Sequence, residues 1–277
     1  MGKRAFLAAG LVVAFLAFDF LSPALPSSGP RMPWGMLVTS GVVIGQINLI
    51  ATWGALGPGN VVVRMPWSIL LGIFTWYAMM LGFRAWRPEN LGSPDLALLG
   101  PMILGGVIVA QVPLWIASKR FRWRLINLED RGNDLDGGPL QFNVRHMLLV
   151  MFLVALALGP ARIALPPLAL DVFQLEGTLG VILTAIVVTN LVMTVPCIWG
   201  ALVKANPVSP LAWSVYCAVV TAIEFGALCL MLGSPGSDWL ETLFGFFLVN
   251  LLQCATVYFV LRRFRAVGFR LVHVSPV

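Results

Sequence analysis

The stretch ALLGPMILGGVIVAQVPLWIA, residues 97–117, carries no charge and stops abruptly at Ser118-Lys119-Arg120-Phe121-Arg122. A helix needs about 20 mostly apolar residues to cross a ~30 Å hydrocarbon core. This run meets that length and ends on cations that belong among headgroups. Read for the same pattern, the chain yields eight spans: about 5–25, 34–53, 66–83, 97–117, 146–166, 178–202, 209–232 and 240–261. Breakers separate them, among them Ser22-Pro23, Gly57-Pro58-Gly59-Asn60 and Arg87-Pro88.

Composition agrees. Hydrophobic residues are 59% of the 277 and charged residues 11%, against about 25% charged in soluble domains. A soluble enzyme domain, a disordered chain and a fibrous repeat are all excluded. The expected fold is all-α, a membrane bundle of eight helices. The first run, which follows Lys3-Arg4, could also open a secretory signal. It continues past Asp19 to Leu25 without a clear cleavage site, so a retained helix is expected.

Lys and Arg in the loops set orientation. With the N-terminus inside, most of the 18 cations are cytoplasmic, leaving Arg31, Arg84, Arg87 and Arg162 outside. Glu89, Asp95, Asp171, Glu176, Asp238 and Glu241 fall outside too. All tryptophans except Trp76 lie near span ends, as an interfacial belt requires. Both termini are therefore expected in the cytoplasm. The net charge of +6 needs no nucleic acid: anionic headgroups on the cytoplasmic face are the default partners, and no protein partner is legible. Candidate contacts are Lys119, Arg120, Arg122 and Arg124 after the fourth span and Arg262, Arg263 and Arg265 after the eighth.

The second half repeats the first. Trp53-Gly54-Ala55-Leu56 matches Trp199-Gly200-Ala201-Leu202 at an offset of 146, as do Asn60 with Asn206 and Trp67-Ser68 with Trp213-Ser214. The offset is 143 where Lys119-Arg120-Phe121-Arg122 meets Arg262-Arg263-Phe264-Arg265, and 141 where Arg4 meets Arg145. A four-helix unit is even-numbered, so both copies insert the same way up, as a parallel repeat. The expected organisation is a first repeat at 1–117, a cytoplasmic linker at 118–145, a second repeat at 146–261 and a basic tail at 262–277.

Gln141-Phe142-Asn143-Val144-Arg145-His146-Met147-Leu148-Leu149 runs straight into a span. It resembles the Q-F-x-x-R-x-x-L-L segment of bacterial polytopic inner-membrane proteins that have no assigned activity. Gln111-Val112-Pro113-Leu114-Trp115 and the basic segment after it are similar to theirs as well. The resemblance implies a bacterial inner-membrane protein of about eight helices and brings no functional residues.

An acid at mid-helix costs roughly 2.5–3.5 kcal/mol on insertion scales, so intramembrane acids are site candidates. Two qualify. Glu224 lies about 22 Å along the seventh span at 1.5 Å per residue, and Asp19 stands at nearly the same height in the first. They could bind a cation or relay a proton. Alternatively, each pairs with Arg84 or Arg162, or is hydrated near the outer interface. Even-numbered spans carry amides in a band at or just below mid-membrane: Gln46, Asn48, Gln111, Asn190, Asn250 and Gln253. These line a polar path, or they bridge helices by hydrogen bonds averaging about 0.6 kcal/mol.

No catalytic constellation is legible. His146 and His273 have no second ligand at helical spacing, and neither a metal nor a cofactor is expected. Cys197, Cys217, Cys229 and Cys254 lie in spans without C-x-x-C spacing and read as packed thiols. Asp130–Gly138 lacks the Glu that closes a calcium loop. Thr39 and Ser40 have no neighbouring base to activate them. Three functions remain: a small-solute or ion transporter or channel; a scaffold or sensor acting through its basic linker and tail; and, least supported, a membrane enzyme.

Overall fold

The computed structural model describes residues 3–25, 34–58, 61–88, 94–121, 123–127, 192–203, 208–232 and 238–273. Within these the chain is mostly helical, with α1 at Lys3–Leu21, α2 at Trp34–Leu56, α3 at Val61–Trp86 and α4 at Pro94–Phe121. A shorter apolar helix, α5, covers Val192–Leu202. It is followed by α6 at Pro210–Leu232 and α7 at Trp239–Ala266. Six of these helices are long and apolar enough to cross a membrane. They coincide with the first four, seventh and eighth runs expected from sequence. The fifth run lies outside the described residues, and the sixth is described only from Val192. Pro66, Pro101 and Pro113 sit inside α3 and α4, where neighbouring helices can satisfy the carbonyls a proline frees.

Helix α2 occupies the centre and packs against α3, α4 and α7. Its contact with α7 depends on small residues. A Cβ at Gly41 would stand 2.7 Å from Leu252 Cβ and 3.0 Å from the Val249 carbonyl; one at Gly45 would stand 2.7 Å from Thr256 Cβ. This is the G-x-x-x-G device: without a hydrophobic driving force between helices in lipid, backbones that approach closely gain the dispersion contacts that hold them. Gly82 does the same for α1 and α3, where an added Cβ would collide with the Phe20 carbonyl. Gly100 receives the indole of Trp76. That packing explains why Trp76, 6% exposed, departs from the interfacial pattern of the other tryptophans. Large side chains point the other way: Phe6, Met102, Leu211, Ile223 and Phe259 are exposed. Small residues at the closest helix crossings and bulky apolar ones on the outer surface suit a bundle in lipid.

Two short strands add to the helices. The chain leaves α4 through β1, Trp123–Asn127, and leaves α7 through Gly268, at φ 103, into β2, Phe269–His273. A φ of that sign suits glycine just past a helix end. The strands pair antiparallel, Trp123 with His273, Arg124 with Val272, Leu125 with Leu271, Ile126 with Arg270 and Asn127 with Phe269. Sequence reading placed these residues in a linker and a tail and foresaw no strand. Laid side by side, WRLIN and FRLVH stand at the same offset of 146 as the two W-G-A-L segments. The central pair, Leu125 and Leu271, is separated by that same offset, and exchanging the strands maps the ladder onto itself.

The ladder gathers the ends of the chain. Arg4 Nε donates to the Val267 carbonyl at 3.0 Å, and Arg265 Nη1 to that of Ala201 at 3.5 Å. Lys119, Arg120, Arg124 and Arg263 are exposed at this end, with Arg262 half-buried; Arg122 lies outside the described residues. Arg64 is also here, in the first turn of α3 rather than in a loop, buried and donating to the Gly57 carbonyl.

Valine at Gly45 should lower the unfolding midpoint by an amount equivalent to about 1–3 kcal/mol of overpacking. Alanine at Gly105, which would meet nothing within 4 Å, should leave it unchanged. A thermal scan of the detergent-purified variants distinguishes the two.

Candidate functional site

Seven of the eight intramembrane polar candidates lie within the described residues; Asn190 does not. Gln46, Gln111 and Asn250 make hydrogen bonds across three different helix pairs.

Between α1 and α2, Gln46 Nε2 donates to Asp19 Oδ1 at 2.8 Å. Asp19 has no exposed surface and Gln46 is 2% exposed. The second oxygen of each, Asp19 Oδ2 and Gln46 Oε1, is buried with no hydrogen-bond partner. Asp19 sits two residues before α1 ends, where Ser22 Oγ turns back to donate to the Asp19 carbonyl at 3.0 Å. The ion pair with Arg84 that the sequence allowed is not formed: Arg84 is exposed, and among the described residues the only side-chain partner of Asp19 is an amide. Arg162, the other cation considered, is outside the described residues.

Between α6 and α7, Asn250 Nδ2 donates to Glu224 Oε2 and to Thr221 Oγ1, both at 3.0 Å. Asn250 and Thr221 are buried, Glu224 half-buried. Glu224 therefore also meets an amide and not Arg84. The two acids belong to different helix pairs, each with an amide of its own. Between α3 and α4, Gln111 Nε2 donates to Ser68 Oγ at 3.0 Å over the bare backbone of Gly54. That brings together the repeated W-G-A-L and Trp-Ser segments. In the second half Gly200 lies under the ring of Trp213, joining the same two segments.

Asn48 and Gln253 are buried on the helices that cross at Gly45. Sequence reading missed the hydroxyl partners Ser68 and Thr221. A hydroxyl can bond back to its own helix at little cost, so its presence in a span carries no signal. The cysteines do pack as thiols: Cys254 Sγ lies 3.7 Å from Met193 Sδ. Among the described residues no group of three His, Cys, Asp or Glu could hold a metal.

The chain was compared with protein-family models, with curated proteins and with solved structures, and none matches it.

Leucine at Gln111 should cost about 0.6 kcal/mol, and at most about 1.7, as for single interhelical bonds in other bundles. Leucine at Asn250 should cost more, because it leaves Glu224 and Thr221 both unpaired. Unfolding in graded denaturant, with fluorescence as readout, ranks the two.

Proposed function

We propose that this protein is a small-solute or ion transporter or channel, built as two parallel four-helix repeats with eight spans in all. The observation that carries the reading is the company kept by its acids. Asp19 and Glu224 stand in apolar helices, and among the described residues each has only an amide as side-chain partner. A carboxylate in an apolar helix without a cation beside it is an uncompensated charge, which costs several kcal/mol. One left with an amide has its charge free for a mobile cation or a proton.

The duplication is supported by two agreements at one offset: the W-G-A-L segments, whose glycines Gly54 and Gly200 each lie against the next helix, and a ladder whose central pair is self-related. Two copies inserted the same way up are related by an axis along the membrane normal. Such an axis through Leu125 and Leu271 would generate an antiparallel pair of this register. The gathering of cations at the ladder end supports placing that end, with both termini, in the cytoplasm of a bacterium, in keeping with the resemblance of Gln141–Leu149. The contacts of α1 with α3 and Gln46 favour a retained first helix over a cleaved signal.

A scaffold or sensor role is the second reading. It is favoured by the exposure of Lys119, Arg120, Arg124 and Arg263 on one surface, which would hold anionic headgroups. An enzyme is the least supported reading, since the sequence offers no legible catalytic constellation.

Reconstituted into liposomes, the protein should pass monovalent cations or small polar solutes, and Glu224→Gln should abolish this while leaving expression nearly unchanged. Equal flux through mutant and parent would sink the role of Glu224. Thermal stabilisation by anionic lipids alone, with no flux from any solute, would favour the scaffold; a bound ligand raises apparent stability by RT ln(1 + [L]/Kd).

A further inference from the structure

Four polar atoms meet where α1 crosses α2, and the bond between two of them leaves the other two with nothing to do. Gln46 Nε2 donates to Asp19 Oδ1; Asp19 Oδ2 and Gln46 Oε1 are both acceptors, both buried and both unpartnered. An unmet acceptor in an apolar interior costs about 1–3 kcal/mol, and here there are two on one side-chain pair. A carboxyl and a primary amide have complementary edges, each with one donor and one acceptor, provided the carboxyl carries a hydrogen.

We propose that Asp19 and Gln46 form a proton-binding site, in which one proton on Asp19 Oδ2 is donated to Gln46 Oε1 and closes an acid–amide ring. Binding forms a single O–H bond and changes no oxidation state. Release returns the proton to water and leaves a carboxylate that keeps the Gln46 amide. A metal cation fits less well. A hard cation such as calcium takes about six or more oxygens, and among the described residues this crossing offers two free side-chain oxygens, since Ser22 Oγ donates to the Asp19 carbonyl.

The charged and titratable groups on the packed elements leave the site to itself. On α1 these are Lys3 and Arg4, at the opposite end of the helix, and Trp34–Leu56 contains none. On α3 they are Arg64 at the ladder end and Tyr77 and Arg84, both exposed. Arg87, just past α3, donates its Nη2 to the Leu25 carbonyl at 2.8 Å. None of them bonds to Asp19. The proposal takes the transporter reading as its context, yet its test needs no transport.

The test is infrared difference spectroscopy of the full-length protein in lipid nanodiscs, titrated from acid to alkaline pH. The parent should show the carbonyl band of a protonated carboxylic acid that Asp19→Asn lacks. Gln46→Leu should shift that band to higher frequency, because the acid loses its partner. Transfer to D2O should move the parent band as the proton exchanges. A spectrum identical in parent and Asp19→Asn at every pH would overturn the proposal. So would a band that never exchanges, or a saturable stabilisation by sodium, against choline, that Asp19→Asn abolishes. Should Asp19→Asn fail to fold, the frequency shift in Gln46→Leu decides alone. Flux through liposomes bears on the transporter reading only: the band stands or falls without it.

Discussion

Everything described here hangs on the close crossing of α2 and α7. In water, two apolar helix faces are driven together by the surface they hide. In lipid that force is absent, and contact between backbones has to supply the attraction. Gly41 and Gly45 let the axis of α2 come so near α7 that a single methyl group at either position would overlap its neighbour. The other faces of α2 are then available to α3 and α4, with Gln111 laid across Gly54 and Gln46 turned toward α1. The hub is a helix chosen for what its side chains lack.

The polar pairs follow from the same constraint. Once helices are fixed at glycine distances, a buried amide either finds a partner on the neighbouring helix or stays unmet at several kcal/mol. Gln46 finds Asp19, Gln111 finds Ser68 and Asn250 finds Glu224. Two of those partners are acids. Bonds of this kind orient a carboxyl without neutralising it, which distinguishes these pairs from ordinary interhelical adhesive.

The spans described were legible because span length is a property of contiguous sequence and the bilayer sets it. The amides were legible because they interrupt apolar runs. Their partners were not: periodicity locates a residue on its own helix but says nothing about the rotation or depth of the next one. Asp19 illustrates this. Its sequence neighbours suggested a cation or the outer interface, whereas a tight approach at Gly82 buries it beside Gln46. The strands escaped for another reason. Trp123–Asn127 follows a helix and carries an arginine, so alone it reads as a loop; it becomes a strand only beside a segment far along the chain. The offset of 143 read for the basic segments just before the strands does not align them.

The α2–α7 crossing also bears on how the molecule is made. About 200 residues separate Gly45 from the segment of α7 that covers it, and at 5–20 residues per second a ribosome needs roughly 10–40 s to supply them. Through that interval the bare backbone stripe of α2 is a vacancy within the bilayer, open to lipid tails, to other helices of the chain, or to membrane chaperones. Helix α7 thus completes the groove of α2, and the Arg4 bond to Val267 can form only afterwards. The first half can therefore reach its final packing only after α7 has been made.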